Sequence, residues 1–207
     1  MDKPNVFRTS EFYMSEGDTL HVSIKYEAGS DTVDLDLVAG DSGVVGASTV
    51  PIFSAWSLPN LAECVAIIAN VTNAGKGNFL EEAYWTSSQN GPVSAGLAGL
   101  YDGSIGHGNK SDSYYVRPIR SFVFMPDQYS LGDTGPSGGW IFYVDNGVYY
   151  EVGPSDIGSP IPWSNIVNGS VGTQPFGIGD GFECTSIIIA QEGHLSSAAS
   201  VCRAYSV

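Results

Sequence analysis

Gly132-Asp133-Thr134-Gly135-Pro136-Ser137-Gly138-Gly139-Trp140-Ile141-Phe142-Tyr143-Val144-Asp145-Asn146-Gly147-Val148-Tyr149-Tyr150-Glu151-Val152 is the stretch of this 207-residue chain on which the fold turns. Its first eight residues are turn formers, rich in the Gly, Asp and Pro that interrupt regular structure. Trp140–Val144 is a continuous apolar and aromatic run of strand length, so it reads as a buried strand. Asn146-Gly147 supplies two residues tolerant of positive φ, which a tight antiparallel turn requires, and Val148–Val152 is the return strand. The glycine-rich segment leads into a strand and not a helix, so it offers no row of helix-terminal N–H groups to a phosphate.

On the N-terminal side the pattern changes around Pro51. In residues 1–50, Leu20, Val22, Ile24 and Tyr26 alternate with His21, Ser23, Lys25 and Glu27. Val33, Leu35 and Leu37 alternate with Asp34 and Asp36. Two half-buried strands of a hairpin follow, with the carboxylates on a solvated face and Gly40, Gly43 and Gly46 as a flexible exit. A hairpin of this size is marginal alone, so residues 1–50 read as a small β element for attachment or assembly. Residues 51–207 read as the main domain. There, Asn60 and Glu63 form a capping box ahead of a helix whose buried face is Leu61, Cys64, Val65 and Ile68, ended by Asn73 and Gly75. Tyr84–Phe124 reads as strands and turns, and Pro118 marks the Val116–Phe124 segment as an edge strand or bulge. Two helices close the chain. One follows an Asp180/Glu183 capping pair, although Ile187-Ile188-Ile189 also suits a strand. The other starts at Ser196 or Ser197 and runs through Ala199, Cys202 and Tyr205.

Composition narrows the function classes. Eight Lys and Arg stand against 22 Asp and Glu, a formal charge of −14, which excludes nucleic acid and anionic membranes as main partners. No apolar run approaches the length of a membrane span. Met1–Arg8 contains no apolar signal core; with a native Met1 this predicts no general export. The 26 Gly and 11 Tyr fit a turn-rich β protein, and 43% hydrophobic residues suffice for a core. Cys64, Cys184 and Cys202 are too few for a disulfide framework; they read as buried thiols or as one bridge plus a free thiol. His21, His107 and His194 are scattered without metal-ligand spacing, and Asp31, Asp34 and Asp36 lack the spacing of a calcium loop. No nucleophile elbow is present. The sequence therefore predicts no catalytic residues, no metal and no cofactor. Trp56, Trp85, Trp140 and Trp163 read as core.

Four stretches together resemble the family named for the C-terminal domain of the Legionella collagen-like adhesin. They are Gly132–Pro136 through Phe142-Tyr143-Val144-Asp145; Ser197-Ala198-Ala199 through Cys202-Arg203-Ala204-Tyr205; Trp56-Ser57-Leu58-Pro59; and Tyr84-Trp85-Thr86-Ser87-Ser88 with Val116-Arg117-Pro118-Ile119-Arg120-Ser121-Phe122. The resemblance implies an α+β, β-rich, C-type-lectin-like fold, similar to that of formylglycine-generating enzyme. In the family, the Gly-Asp-Thr-Gly-Pro strand and the helices precede the Trp-x-Leu-Pro and Tyr-Trp-Ser-Ser segments. Here the order is reversed, which implies a circular permutation with the old termini joined through Met125–Leu131, or else half-domains swapped between neighbouring chains.

The ligand loops of that fold correspond to residues 86–115 and their continuation. Tyr101, His107, Asn109, Lys110, Tyr114, Tyr115 and Arg117 are the candidate ligand-binding residues, a mixture suited to adaptable recognition. Lys110, Arg117 and Arg120 either receive an anionic sugar or pair with Asp102 and Asp112. The combined expectation is a non-enzymatic structural and recognition protein of a bacteriophage virion: a head decoration protein, fibre or tail adhesin. Residues 1–50 would contact other virion proteins, the lectin-like domain a surface glycan, and a homotrimer follows by analogy with fibres. A bacterial cell-surface adhesin is the alternative. A metal-dependent enzyme of the formylglycine-generating fold comes third, because that chemistry needs metal-ligating thiols and these cysteines carry no such motif.

Overall fold

Asn146 and Gly147 adopt φ of 48° and 81°, the doubly left-handed turn that matches the twist of a two-residue hairpin. It joins β9 (Trp140–Asp145) to β10 (Val148–Val152), which pair antiparallel with a bulge after Tyr150. The computed structural model describes residues 19–25, 32–38, 52–124, 128–173 and 177–207. The chain divides into two compact units, residues 1–50 and 51–207.

In the first unit, β1 (Thr19–Lys25) pairs antiparallel with β2 (Thr32–Val38), Val22 opposite Leu35. The alternation of apolar residues places this hairpin correctly. Tyr26, the turn at 28–31, the solvated face of Asp34 and Asp36, and the glycine exit at 40–46 lie outside the described residues and side chains.

The second unit is an α+β arrangement of antiparallel sheets and three helices. β3 (Ile52–Phe53), β8 (Ile119–Val123), β10 and β9 form one sheet in that order. β4 (Ala83–Gln89), β5 (Ser94–Gly99) and β6 (Ile105–Asn109) form a second. β7 (Ser113–Tyr114) pairs with β11 (Ile161–Pro162), and β7 leads into a parallel bridge from Tyr115 to Tyr84. The segment after Pro118 is thus no edge: β8 has β10 on one side and β3 on the other. Pro118 sits just before the strand, where its missing N–H costs the ladder nothing.

The helix α1 (Leu61–Asn70) starts at the expected capping box, with Asn60 Oδ1 accepting from Glu63 N and Glu63 Oε2 accepting from Asn60 N. Its buried face is Glu63, Cys64 and Ile67, while Val65 is half exposed. The helix stops at Asn70, and a 3₁₀ turn, Thr72–Ala74, runs on to a left-handed Gly75. The run Ile187–Ile189 is helical, within α2 (Gly181–Ile189). Asp180 does not cap it: its carboxylate accepts from Gly177 N in the preceding loop. α3 (Ala198–Arg203) has a capping box of its own, Ser197 with Ser200.

One core cluster contains Leu58, Trp85, Leu97 and Val116 together with Trp163, Ile188, Ala198, Ala199 and Cys202. Early and late parts of this unit therefore complete one another within a single chain. Thr185 Oγ1 accepts from Leu58 N, and the Tyr205 ring packs edge-on against Trp56 with centroids 5.1 Å apart. A second cluster gathers α1, β4, β5, β8, β9 and β10 around Ile67, Tyr84, Leu100 and Phe142. Trp56, Trp85 and Trp163 are buried, and Trp140 is half-buried. Cys64, Cys184 and Cys202 are buried free thiols. Met125, Pro126 and Asp127, part of the expected join of old termini, lie outside the described residues.

Candidate functional site

The seven residues singled out in the sequence do not converge. Tyr101, His107 and Asn109 are exposed on the β5–β6 hairpin. Tyr114 and Tyr115, adjacent on a strand, point to opposite sides and join different cores. The Tyr114 ring meets Trp85 edge-on at 4.8 Å, whereas Tyr115 lies 5.9 Å from Tyr84. Both are half-buried packing residues.

Lys110 and Arg117 are corrections to the reading of a basic ligand-receiving loop, because neither faces solvent. Lys110 Nζ donates to Gly169 O at 2.6 Å and lies 4.6 Å from the centroid of Trp163. Arg117 donates to Gly153 O and Gly77 O, stacks on Phe79, and pairs through Nε with Asp156 at 3.0 Å. Asp102 and Asp112 are partners to neither. Burial pushes both Arg117 and Asp156 toward their neutral forms, and their mutual attraction opposes this. A buried guanidinium held by two backbone carbonyls and an ion pair with a carboxylate acts as a brace between segments.

Arg120 is the exception, and it organises a groove of about 510 Å³. Phe53, Trp56, Pro136, Ser137, Tyr205, Ser206 and Val207 line it with Arg120. The guanidinium carbon lies 3.7 Å from the Phe53 centroid and 4.6 Å from that of Trp56. Nε donates to Glu151 Oε2 and Nη2 to Ser137 Oγ. Nη1 makes no hydrogen bond among the described residues. Glu151 is fully buried and held by Ser137 N, Ser137 Oγ and Gly139 N. That carboxylate fixes the Arg120 plane while the aromatic faces shield it, a pre-organised cation beside apolar rings. The glycine turn explains the closeness: a methyl on Gly139 would overlap the Val152 carbonyl, and one on Gly135 would collide with the Glu151 carboxylate.

By proximity along the chain Arg120 groups with Lys110 and Arg117, and Trp56 reads as core. Trp56 is indeed only 6% exposed, yet one part of it walls the groove. Nothing in the sequence brings residues 53–56, 120, 137 and 205 together; their meeting follows from the tertiary fold. A second, more apolar groove of about 400 Å³ lies between Ser111, Ile161–Pro162, Asn165 and the start of α3. Its Asn165 is occupied internally: Oδ1 accepts from Leu195 N and Ser196 N, and Nδ2 donates to Gly193 O. Among the described residues no group of three or more His, Cys, Asp and Glu is placed to hold a metal ion, and no helix is long and apolar enough to cross a membrane. No family model, no curated protein and no solved structure matches this chain.

Proposed function

We propose that this chain is a non-enzymatic structural and recognition protein displayed on a bacteriophage particle, as a head decoration protein, fibre or tail adhesin. In this reading residues 51–207 are a circularly permuted C-type-lectin-like domain that binds an anionic glycan. Residues 1–50 attach it to other virion proteins, and the assembly is a homotrimer. The observation that carries the recognition half is the Arg120 groove. Its aromatic walls suit the C–H faces of a sugar ring, Ser137 and Ser206 suit its hydroxyls, and Arg120 suits a carboxylate. Its volume is that of a small-ligand cleft. The packing of Tyr205 on Trp56 and the shared core of early and late segments support the permuted reading, since a permuted domain needs its new ends adjacent in space.

A glycan array with neutral and carboxylate-bearing saccharides tests the binding. Wild type is expected to retain carboxylated glycans, R120Q to lose at least about tenfold in affinity, and the Y101A/H107A double variant on the exposed hairpin to bind unchanged. Equal binding by wild type and R120Q overturns the site. Proteomic analysis of purified particles tests the location: recovery of the chain at a fixed stoichiometry supports the virion role. Recovery only from the bacterial envelope replaces it with a cell-surface adhesin carrying the same groove.

A further inference from the structure

Lys110 and Gln89 are both buried, and their side-chain nitrogens meet at one oxygen. Lys110 Nζ donates to Gly169 O at 2.6 Å, and Gln89 Nε2 reaches the same oxygen at 3.4 Å while donating to Gly91 O at 2.5 Å. The Gln89 amide is polarised from its other side. Its Oε1 accepts from two backbone donors, Val171 N at 2.7 Å and Gly172 N at 3.1 Å. Two fixed N–H groups on a carbonyl oxygen favour a tetrahedral oxyanion at that carbon. The amine has a single hydrogen-bond partner among the described residues although it carries three protons as an ammonium. Lys110 is fully buried, with its amine 4.6 Å from the Trp163 ring centroid. Burial also lowers its pKa to about 8, which makes the free base more accessible than for an exposed lysine.

We propose that Lys110 and Gln89 condense to an intramolecular isopeptide bond that ties β4 to the residue following β6. The neutral Lys110 Nζ attacks Cδ of Gln89, forming a C–N bond, and the oxyanion rests on the Val171 and Gly172 N–H groups. The Cδ–Nε2 bond then breaks. The proton lost by Nζ leaves on Nε2 as ammonia, so no oxidant, metal or co-reactant is consumed. The shared Gly169 oxygen holds the two side chains side by side before reaction, which lowers the entropic cost of bringing Nζ onto Cδ. The bond encloses the β5–β6 hairpin, whose turn and β6 strand face solvent, and keeps it anchored under mechanical or thermal stress.

Intact-mass spectrometry of the purified full chain, after incubation at pH 9 and denaturation, decides it. The expected mass is one ammonia below that of the sequence, with a proteolytic fragment joining the peptides that contain residues 89 and 110. K110M and Q89E are expected at their full sequence masses, and a chain kept denatured throughout is expected not to react. Wild type at full sequence mass overturns the proposal. So does an ammonia loss that persists in K110M, which would arise elsewhere. The outcome does not depend on the variants folding, since the wild-type mass alone is sufficient to refute it.

Discussion

Glu63 is the residue with the largest structural leverage. Its carboxylate accepts from Asn60 N at 2.7 Å, Gly179 N at 2.9 Å and Gly181 N at 3.4 Å, so it ties the first turn of α1 to the loop that opens α2. Gly181 must lack a side chain, because a methyl there would collide with the Glu63 carboxylate. Burial pushes the Glu63 pKa up to about 7, against the pull of the three N–H groups, with Asp180 adding to the rise. Since the folded value lies above the unfolded one near 4.5, the contribution to stability is fully present below about 4.5 and is lost as pH rises through 7. Urea titrations should therefore show wild-type stability falling by a few kcal/mol between pH 5 and pH 8. E63Q should lack that slope, and at pH 5 it should be less stable by about 1–3 kcal/mol, because an amide N–H₂ would confront a backbone donor. Parallel curves for the two proteins would refute this account. The capping role was legible from the Asn60-to-Glu63 spacing. The second role was not, because nothing in the sequence brings residue 63 to residues 179 and 181.

At the scale of elements, caps and turns decide where regular structure begins. Ser197 Oγ accepts from Ser200 N and Ser200 Oγ from Ser197 N, so the short α3 depends on this reciprocal pair. S197A should lower unfolding stability by about 1 kcal/mol, measured as a fall in Tm, whereas E183A, on an exposed site of α2, should change it by less than about 0.5 kcal/mol. The β9–β10 hairpin makes a sharper demand. Gly147 sits at φ 81°, so G147V should cost roughly 1–3 kcal/mol, while N146G should be nearly neutral. Both hairpins were readable because side-chain alternation and the Asn-Gly turn act over a few residues. Two readings failed for the same reason. The sequence puts Val65 on the buried face of α1 and reads Pro118 as marking an edge strand or a bulge, because period and punctuation do not reveal what packs on the other side.

For the molecule as a whole, charge placement is asymmetric. Each of the five basic side chains in residues 51–207 has an internal partner. Lys76 donates to Gly132 O, Lys110 to Gly169 O, Arg117 to Gly153 O and Gly77 O, Arg120 to Ser137 Oγ and Glu151, and Arg203 to Phe182 O and Ser186 Oγ. Glu81, Glu82, Asp102, Asp112, Asp133, Asp145, Glu183 and Glu192 are exposed. The outer face of this unit is thus more acidic than its composition alone implies. The chain should bind an anion exchanger at pH 7, pass through a cation exchanger, and show its solubility minimum near pH 4.2, read as turbidity against pH. Retention on the cation exchanger at neutral pH would overturn this account of the charge distribution.

The sequence by itself determined the hairpins, the starts of α1 and α3, the helical and strand-rich character of residues 51–207, and the overall acidity. Each of these rests on local periodicity, turn chemistry or composition, which act over a few residues or need no geometry at all. The tertiary structure alone decided which carboxylates are buried, which cations are braces, and that Arg120, Trp56, Ser137 and Tyr205 share a groove. Those depend on contacts between segments up to the full length of the unit apart, where the burial of one side chain is set by whatever the rest of the chain lays over it.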